Sequence, residues 1–278
     1  MTPSSKAPPT YVLGHSEFEL NRLTTQARLV DPMTRRFFVE AGVAPGMRVL
    51  DVGSGVGDVA FLAAGIVGSA GEVVGFDRSA TALAVARRRA AERSRTNVTF
   101  LEGEPSELDF GKPFDAVVGR YVLMFQPDPV ALLRAVAAPA KPGAVIVFHE
   151  CDWESARSRP PAPIHDRCCA WIVEAVRRSG AEASMGVKLH PTFLAAGLSA
   201  PTMRTESIVG GASDVGAKDR IRHIADLAIS LAEQLERYGI ATAAEIGAAT
   251  LADRMEAEAA ANGSVMVERD EMGAWTRR

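Results

Sequence analysis

The sequence is poor in cysteine, lysine and aromatic residues, and it has no long apolar run. Three cysteines in 278 residues cannot build a disulfide framework, and Cys168 and Cys169 are adjacent, a poor pair for a bridge. A reduced, cytoplasmic protein is the expectation. A formal charge of −3 offers no field for nucleic acid or an acidic membrane. The chain has only five lysines, and its arginines are scattered. The run Arg87-Arg88-Arg89 falls on an expected helix and reads as a solvated face. The longest uncharged stretch, Val59 to Gly71, is too short and too glycine-rich to span a bilayer. Residues 1–10 are rich in proline and serine and show no apolar segment of a secretory signal. There is no internal repeat.

What is present centres on Val49-Leu50-Asp51-Val52-Gly53-Ser54-Gly55-Val56-Gly57-Asp58. An apolar run ends in three glycines at alternate positions, and a helical pattern follows. This predicts strand, tight turn, helix, the opening of a βαβ unit. Glycines allow a sharp turn and a close approach of ligand to main chain. The helix start behind them presents unpaired N–H groups and a positive dipole end. The spacing G-x-G-x-G differs from the G-x-G-x-x-G of a dinucleotide loop, with Asp58 where a third glycine would stand. A second strand ends in Asp77, where a carboxylate can accept both hydroxyls of a ribose.

Along the chain, Ser16 and Glu19 form a capping box for a first helix. Asp31-Pro32 reads as the cap and first residue of a second helix, ended by Gly42. Strands are expected at 48–52, 72–76, 98–101, 116–118 and 144–148, alternating with helices at about 59–66, 80–93 and 128–138. Alternation of this kind predicts a doubly wound, Rossmann-like α/β sheet of about seven strands, mostly parallel with an antiparallel last strand. Beyond it, helices are expected at about 164–178, 191–196, 217–238 and 242–261, with strands at 203–209 and 264–269. The division predicted is a tail and cap helices over 1–45, a nucleotide-binding core over 46–150, and substrate-covering helices with closing strands over 151–278. Ligands of such sheets sit at the carboxyl ends of the strands, where Gly53, Asp77, Glu104, Arg120 and His149-Glu150 gather.

The assembled pattern resembles the class I S-adenosylmethionine-dependent methyltransferases, in VLDVGSGVGD (49–58), VVGFD (73–77), NVTFLEGEP (97–105), FDAVVGRYVLMF (114–125), PDPVALLRAVAAPAKPGAVIVF (127–148) and GAWTR (273–277). Within them it is most similar to small-molecule enzymes of bacterial quinone and natural-product type. The resemblance implies S-adenosylmethionine as cofactor and S-adenosylhomocysteine as product. It implies that Gly53, Ser54, Gly55 and Gly57 meet the methionine and ribose portions, with Asp51 near the amino end. Asp77 takes the ribose hydroxyls and Arg78 packs beside the adenosine. Glu104 and Pro105 lie at adenine, and Arg120 lies toward the carboxylate. Tyr11 and Gln26 either close over the cofactor or face solvent.

The acceptor is expected over the ends of the fourth and fifth strands. His149 is the candidate general base and Glu150 the next, as catalytic or orienting groups; the bland alternative for His149 is a satisfied buried histidine. Trp153 and His190, the latter on a glycine-flanked loop, are candidate substrate contacts. No metal site is expected. The predicted function is methyl transfer to oxygen or carbon of a small molecule, by a monomer or homodimer without nucleic-acid or membrane partners. The alternatives are a cofactor-binding relative with another chemistry, such as cyclisation, and an NAD-dependent oxidoreductase.

Overall fold

A computed structural model describes residues 17–211, 214 and 217–278. In chain order the elements are α1 (Glu17–Ala41), β1 (Arg48–Val52), α2 (Asp58–Val67), β2 (Glu72–Asp77), α3 (Ala80–Glu92), β3 (Val98–Glu102), β4 (Phe114–Arg120), α4 (Pro129–Ala137), β5 (Ala140–Asp152), β6 (Arg157–Arg159), α5 (Pro163–Arg178), α6 (Met185–Ala195), β7 (Thr202–Gly211), α7 (Ala217–Ser230), α8 (Ala232–Arg237), α9 (Ala243–Ile246), α10 (Leu251–Asn262) and β8 (Val265–Arg277). The strands form one eight-stranded sheet in the order β3-β2-β1-β4-β5-β8-β6, with β7 also paired to β8. The pairs β1–β2, β1–β4, β2–β3 and β4–β5 are parallel, and β6–β8 is antiparallel. The order reverses between β1 and β4, which is where a doubly wound sheet binds ligands. Among the described residues no helix is long and apolar enough to cross a membrane.

Contacts divide the chain into two compact units that do not follow chain order. One takes the described residues up to Val30 together with Cys151–Met185 and Glu206–Glu271; the other takes Asp31–Glu150, Gly186–Thr205 and Met272–Arg278. The second unit contains the parallel strands. Its core is aliphatic: Val49, Val73, Ala116, Val118, Val145 and Val147 on the strands meet Ala60, Ala63, Ala64, Val67, Leu83 and Ala86 on α2 and α3. Small residues on the helices let them approach the sheet closely, and strands buried on both faces read as continuous apolar runs for that reason.

Helix α1 departs from expectation. It is one 25-residue element with Pro32 inside it, not two helices with Asp31 as a cap. Proline in a helix interior forfeits a backbone hydrogen bond and crowds the preceding turn, at a cost of about 3 kcal/mol. The next turns offset this by burying Met33, Phe37, Phe38 and Ala41. Asp31 sends its carboxylate to Arg120 at 2.7 Å instead of capping. A second departure is Arg89, which is half-buried. Arg87 donates to the Phe100 carbonyl at 3.0 Å, and Arg89 to the Val56 carbonyl and the Asp58 carboxylate, both at 2.6 Å. Arg87 stays exposed despite its contact, and Arg88, paired with Glu92 at 3.9 Å, is exposed as well, so these two form the solvated face expected.

The other unit packs α5, α7 and α10 through Cys168, Ile172, Ile221, Ile224 and Met255, all buried. The expected helix over 242–261 is split because Gly247 takes a left-handed conformation (φ 56) and ends α9. All three cysteines are buried and free, and burial pushes the Cys168 thiol up to about 12.

Strand β8 carries buried charge in this unit: Glu268, Arg269 and Glu271 are each under 5% exposed. Arg269 pairs with Glu271 at 3.0 Å and lies over the Trp153 ring at 4.2 Å. Burial pushes Glu268 up to about 7, Arg269 opposing the rise and Glu271 adding to it. Between the ordinary carboxylate range and pH 7 the folded chain therefore holds a proton that the unfolded chain releases, so the stability contribution of Glu268 falls as pH rises through that window. Glu268→Gln is expected to gain roughly 2–3 kcal/mol more over the wild type at pH 8 than at pH 5. Thermal or urea unfolding at the two pH values checks this, and an equal difference at both would refute it.

Candidate active site

The chain leaves β1 through Gly53, Gly55 and Gly57, all left-handed (φ 62, 51 and 92). Residues with a Cβ rarely adopt this conformation. At Gly53 space is a second constraint, since a Cβ would lie 2.9 Å from the Val122 side chain. The loop is tied across the end of β2. The Ser54 N–H donates to the Phe76 carbonyl at 2.8 Å, and the Gly55 N–H donates to Asp77 Oδ2 at 2.9 Å. Gly75 makes the crossing possible, because a Cβ there would meet Ser54 Cβ at 2.8 Å. Arg89 braces the far side of the loop through Val56 and Asp58. Helix α2 then begins with no side-chain cap on its first turn, which leaves its N–H groups and positive end to a ligand.

Asp51, 1% exposed, lies beneath this turn. Among the described residues neither of its carboxylate oxygens has a hydrogen-bond partner. Burial raises its pKa well above the usual carboxylate range; Arg120 opposes this, Asp77 and Asp58 reinforce it, and the nearby Ala60 amide lowers it a little without forming a hydrogen bond. A buried carboxylate without a hydrogen-bond partner is costly and well suited to an ammonium group. The buried Ser54 hydroxyl is also without a partner. Asp77 is partly committed already: besides Gly55, it accepts from the Ser79 N–H at 2.8 Å. Each of its oxygens keeps a further lone pair for a diol.

Register brings the ends of β4 and β5 together, with Arg120 opposite His149 and Gly119 opposite Phe148. A Cβ at Gly119 would lie 2.6 Å from the Phe148 ring. Arg120 Nη1 donates to Asp31 Oδ1 at 2.7 Å and to Thr34 Oγ1 at 2.9 Å. Thr34 Oγ1 lies 3.0 Å from His149 Nδ1. His149 is fully buried, held by the Phe37 ring at 4.9 Å (perpendicular) and the Tyr121 ring at 5.5 Å. Phe37 fits because residue 273 is glycine; a Cβ there would sit 2.5 Å from its ring. Tyr121 has φ 55, left-handed for a bulky residue, and such strain clusters at functional sites. Glu150, also fully buried, accepts from the Val122 and Leu123 N–H groups at 2.9 and 2.7 Å.

The structure therefore brings together Asp51, Gly53, Ser54, Gly55, Gly57 and Asp77, and sets Arg120, His149 and Glu150 at the ends of the neighbouring strands. Arg78 and Glu104 form a half-exposed pair at 3.4 Å, and Pro105 is partly buried beside them. Gln26 is half-buried on α1, and Tyr11 lies outside the described residues. Trp153 is buried in the other unit, its ring covered by Arg269 and its backbone N–H bonded to the Ala183 carbonyl at 2.9 Å. The glycine-flanked loop expected around His190 is instead part of α6; His190 is exposed on that helix, and Gly186 serves close packing, 2.9 Å from Met272 Sδ were a Cβ present. Sequence reasoning missed Asp31, Thr34, Phe37 and Tyr121. Asp31 was read as a cap, and nothing in a one-dimensional pattern links residue 34 to residue 149. Among the described residues no cluster of three or more His, Cys, Asp or Glu could hold a metal.

A family model described as a methyltransferase domain matches residues 44–197, more than half of the chain, and the chain belongs to that family, with the class I methyltransferase fold. It is similar to the 2-phytyl-1,4-naphtoquinone methyltransferase of Synechococcus elongatus, 44% identical over 102 residues, 36% of this chain and 44% of that protein. It is also similar to the demethylmenaquinone methyltransferase of Lactococcus lactis, 34% identical over 125 residues, 45% of this chain and 47% of that one. The chain thus spans less than half the length of these curated relatives. Among solved structures it resembles the [4+2]-cyclase SpnF, with a TM-score of 0.55 and 21% identity over 89% of this chain and 80% of that one; at that identity the likeness concerns fold alone.

The unpaired charge at Asp51 makes a two-sided prediction. Asp51→Asn keeps shape and removes the cost of burying an ionisable carboxyl, so the ligand-free protein is expected to be more stable by about 1 kcal/mol or more near neutral pH, some 2–4 °C in Tm. The same variant is expected to bind a cationic cofactor at least tenfold more weakly. Thermal unfolding and calorimetry check both halves; a variant that loses stability and keeps affinity would refute the assignment.

Proposed function

We propose that this chain transfers a methyl group from S-adenosylmethionine to carbon or oxygen of a small quinone- or polyketide-type acceptor. The observation that carries the cofactor half is the buried carboxylate of Asp51, without a hydrogen-bond partner, beneath a left-handed glycine turn. That arrangement suits a ligand with an ammonium group and a ribose. The acceptor half is supported by the names of the relatives, whose quinone rings offer carbon and oxygen but no nitrogen.

S-adenosylmethionine, when bound, supplies an activated sulfonium methyl. The chain's own residues then bind and orient it. Asp51 holds the ammonium, and Asp77 holds the ribose hydroxyls while pinning the Gly55 amide. The first turn of α2 and the Ser54 hydroxyl orient the remaining polar groups. Arg78, Glu104 and Pro105 border the adenine, and Arg120 offers positive charge toward the carboxylate from a position fixed by Asp31. Glu150 holds the turn after β4 by accepting two N–H groups, a positioning duty that leaves His149 as the polar side chain of β5 directed at the chemistry. The gain in rate comes mainly from alignment and exclusion of water, because the donor is already electrophilic.

The test is calorimetric titration with S-adenosylmethionine, S-adenosylhomocysteine and NAD in parallel, followed by transfer of labelled methyl to a reduced naphthoquinone. Micromolar binding of the two adenosyl ligands, none for NAD, and label in the quinol are expected. Binding without transfer to any acceptor would favour the cyclisation alternative; silence from both adenosyl ligands would remove the reading altogether. Asp77→Ala is expected to weaken S-adenosylmethionine binding about a hundredfold, roughly 3 kcal/mol for two lost bonds to a charged acceptor.

A further inference from the structure

We propose that Asp51 carries a proton in the free protein and releases it when a ligand ammonium group docks, so that binding of S-adenosylmethionine or S-adenosylhomocysteine sets one proton free. The inference deepens the proposed cofactor site and rests on that reading.

Asp51 sits on a strand flanked on both sides. β1 pairs with β2 and with β4, and the residues beside Asp51 in register are Gly75 and Val118. Neither carries a side-chain donor. Asp51 is 1% exposed, and among the described residues neither of its oxygens has a hydrogen-bond partner. The cations nearby are engaged elsewhere. Arg120, ending β4, donates to Asp31 at 2.7 Å and to Thr34 at 2.9 Å, both on α1. Arg89 on α3 donates to the Val56 carbonyl and the Asp58 carboxylate, both at 2.6 Å. Asp58 at the start of α2 and Asp77 at the end of β2 add negative charge around Asp51. On β5, His149 faces Thr34, and Glu150 accepts from the Val122 and Leu123 N–H groups.

A carboxyl in such surroundings neutralises by taking a proton, because an ionised one would be buried without compensation. Burial raises the pKa of Asp51 well above the usual range, Arg120 opposing the rise and the two aspartates adding to it. An ammonium group reverses the balance. It brings three N–H donors and a positive charge, and charge-assisted bonds favour the ionised carboxyl. On docking, the O–H bond of Asp51 breaks, its electron pair stays on the carboxylate oxygen, and the proton passes to water. Free and bound states then differ by one proton. Affinity therefore rises with pH below the raised pKa of the free protein, approaching about tenfold per pH unit, and levels off above it. A ligand without the ammonium leaves the proton in place and shows no such slope.

The test is calorimetry of the full chain with S-adenosylhomocysteine and with methylthioadenosine, which keeps the adenosine and the sulfur but lacks the amino-acid portion. Titrations between about pH 5.5 and 7.5, in buffers of different ionisation enthalpy, give the affinity and the number of protons released. S-adenosylhomocysteine is expected to release about one proton near pH 6 and to bind about tenfold or more tightly at the upper pH than at the lower. Methylthioadenosine is expected to release none and to bind equally at both. Asp51→Asn is expected to bind S-adenosylhomocysteine weakly, with no release and no slope. Binding of S-adenosylhomocysteine to the wild type without proton release, or with one affinity throughout, would overturn the proposal. So would a release that persists in Asp51→Asn or that methylthioadenosine matches. The contrast between the two ligands on the wild type decides even where the variant fails to fold. Micromolar binding without proton release refutes this inference alone, whereas no binding of S-adenosylhomocysteine refutes the cofactor reading beneath it.

Discussion

The left-handed exit from β1 is the constraint on which the site depends. Three glycines let the chain turn back over the end of β2 within five residues, where the Phe76 carbonyl and the Asp77 carboxylate catch it. That turn leaves the first N–H groups of α2 without a side-chain cap and roofs Asp51 away from water. A side chain at Gly53 would strike Val122, and one at Gly75 would strike Ser54. The loop is thus defined by close approaches on both sides as much as by its dihedral angles.

The electrostatics follow from that geometry. Asp51, Asp58 and Asp77 act on one another electrostatically where β1 and β2 give way to the glycine turn and α2, with Arg120 as the counterweight for Asp51. Arg120 cannot neutralise them fully, because its nearest carboxylate is Asp31. The residual cost is borne by Asp51, whose proton is held well above the usual range by burial. A folded protein keeps such a buried carboxyl at the expense of stability, a pattern found where binding requires it. The ends of β4 and β5 show the same economy of positions: Arg120, Thr34 and His149 form one hydrogen-bonded line, with Phe37 and Tyr121 closing around the imidazole.

Much of this was legible from one dimension. Alternating strands and helices over 48–148, the glycine spacing, the aspartate ending β2 and the arginine ending β4 all appear where the pattern placed them, since each is a short-range signal of backbone need or burial; β5 runs on to Asp152, so His149 and Glu150 lie within it. The errors share a cause. Asp31-Pro32 has the form of a helix start, Arg89 closes a run with the form of a solvated face, and Gly186 to His190 has the form of a loop. In each case a distant partner outweighed the local preference: Arg120 for Asp31, the Val56 carbonyl and Asp58 for Arg89, and Met272 for Gly186.

The sequence by itself determined the parallel sheet, the turn that a nucleotide-like ligand would meet and the family to which the chain belongs, because periodicity, glycine spacing and strand-end residues are local. Only the tertiary structure decided what each polar group does there. It gave Asp77 a second duty in holding Gly55, turned Glu150 inward to two backbone N–H groups, and set Thr34 between Arg120 and His149 across 115 residues of chain. The physical reason is that a hydrogen bond is made by an atom at a distance and an angle, and neither is recorded in the order of residues along a chain.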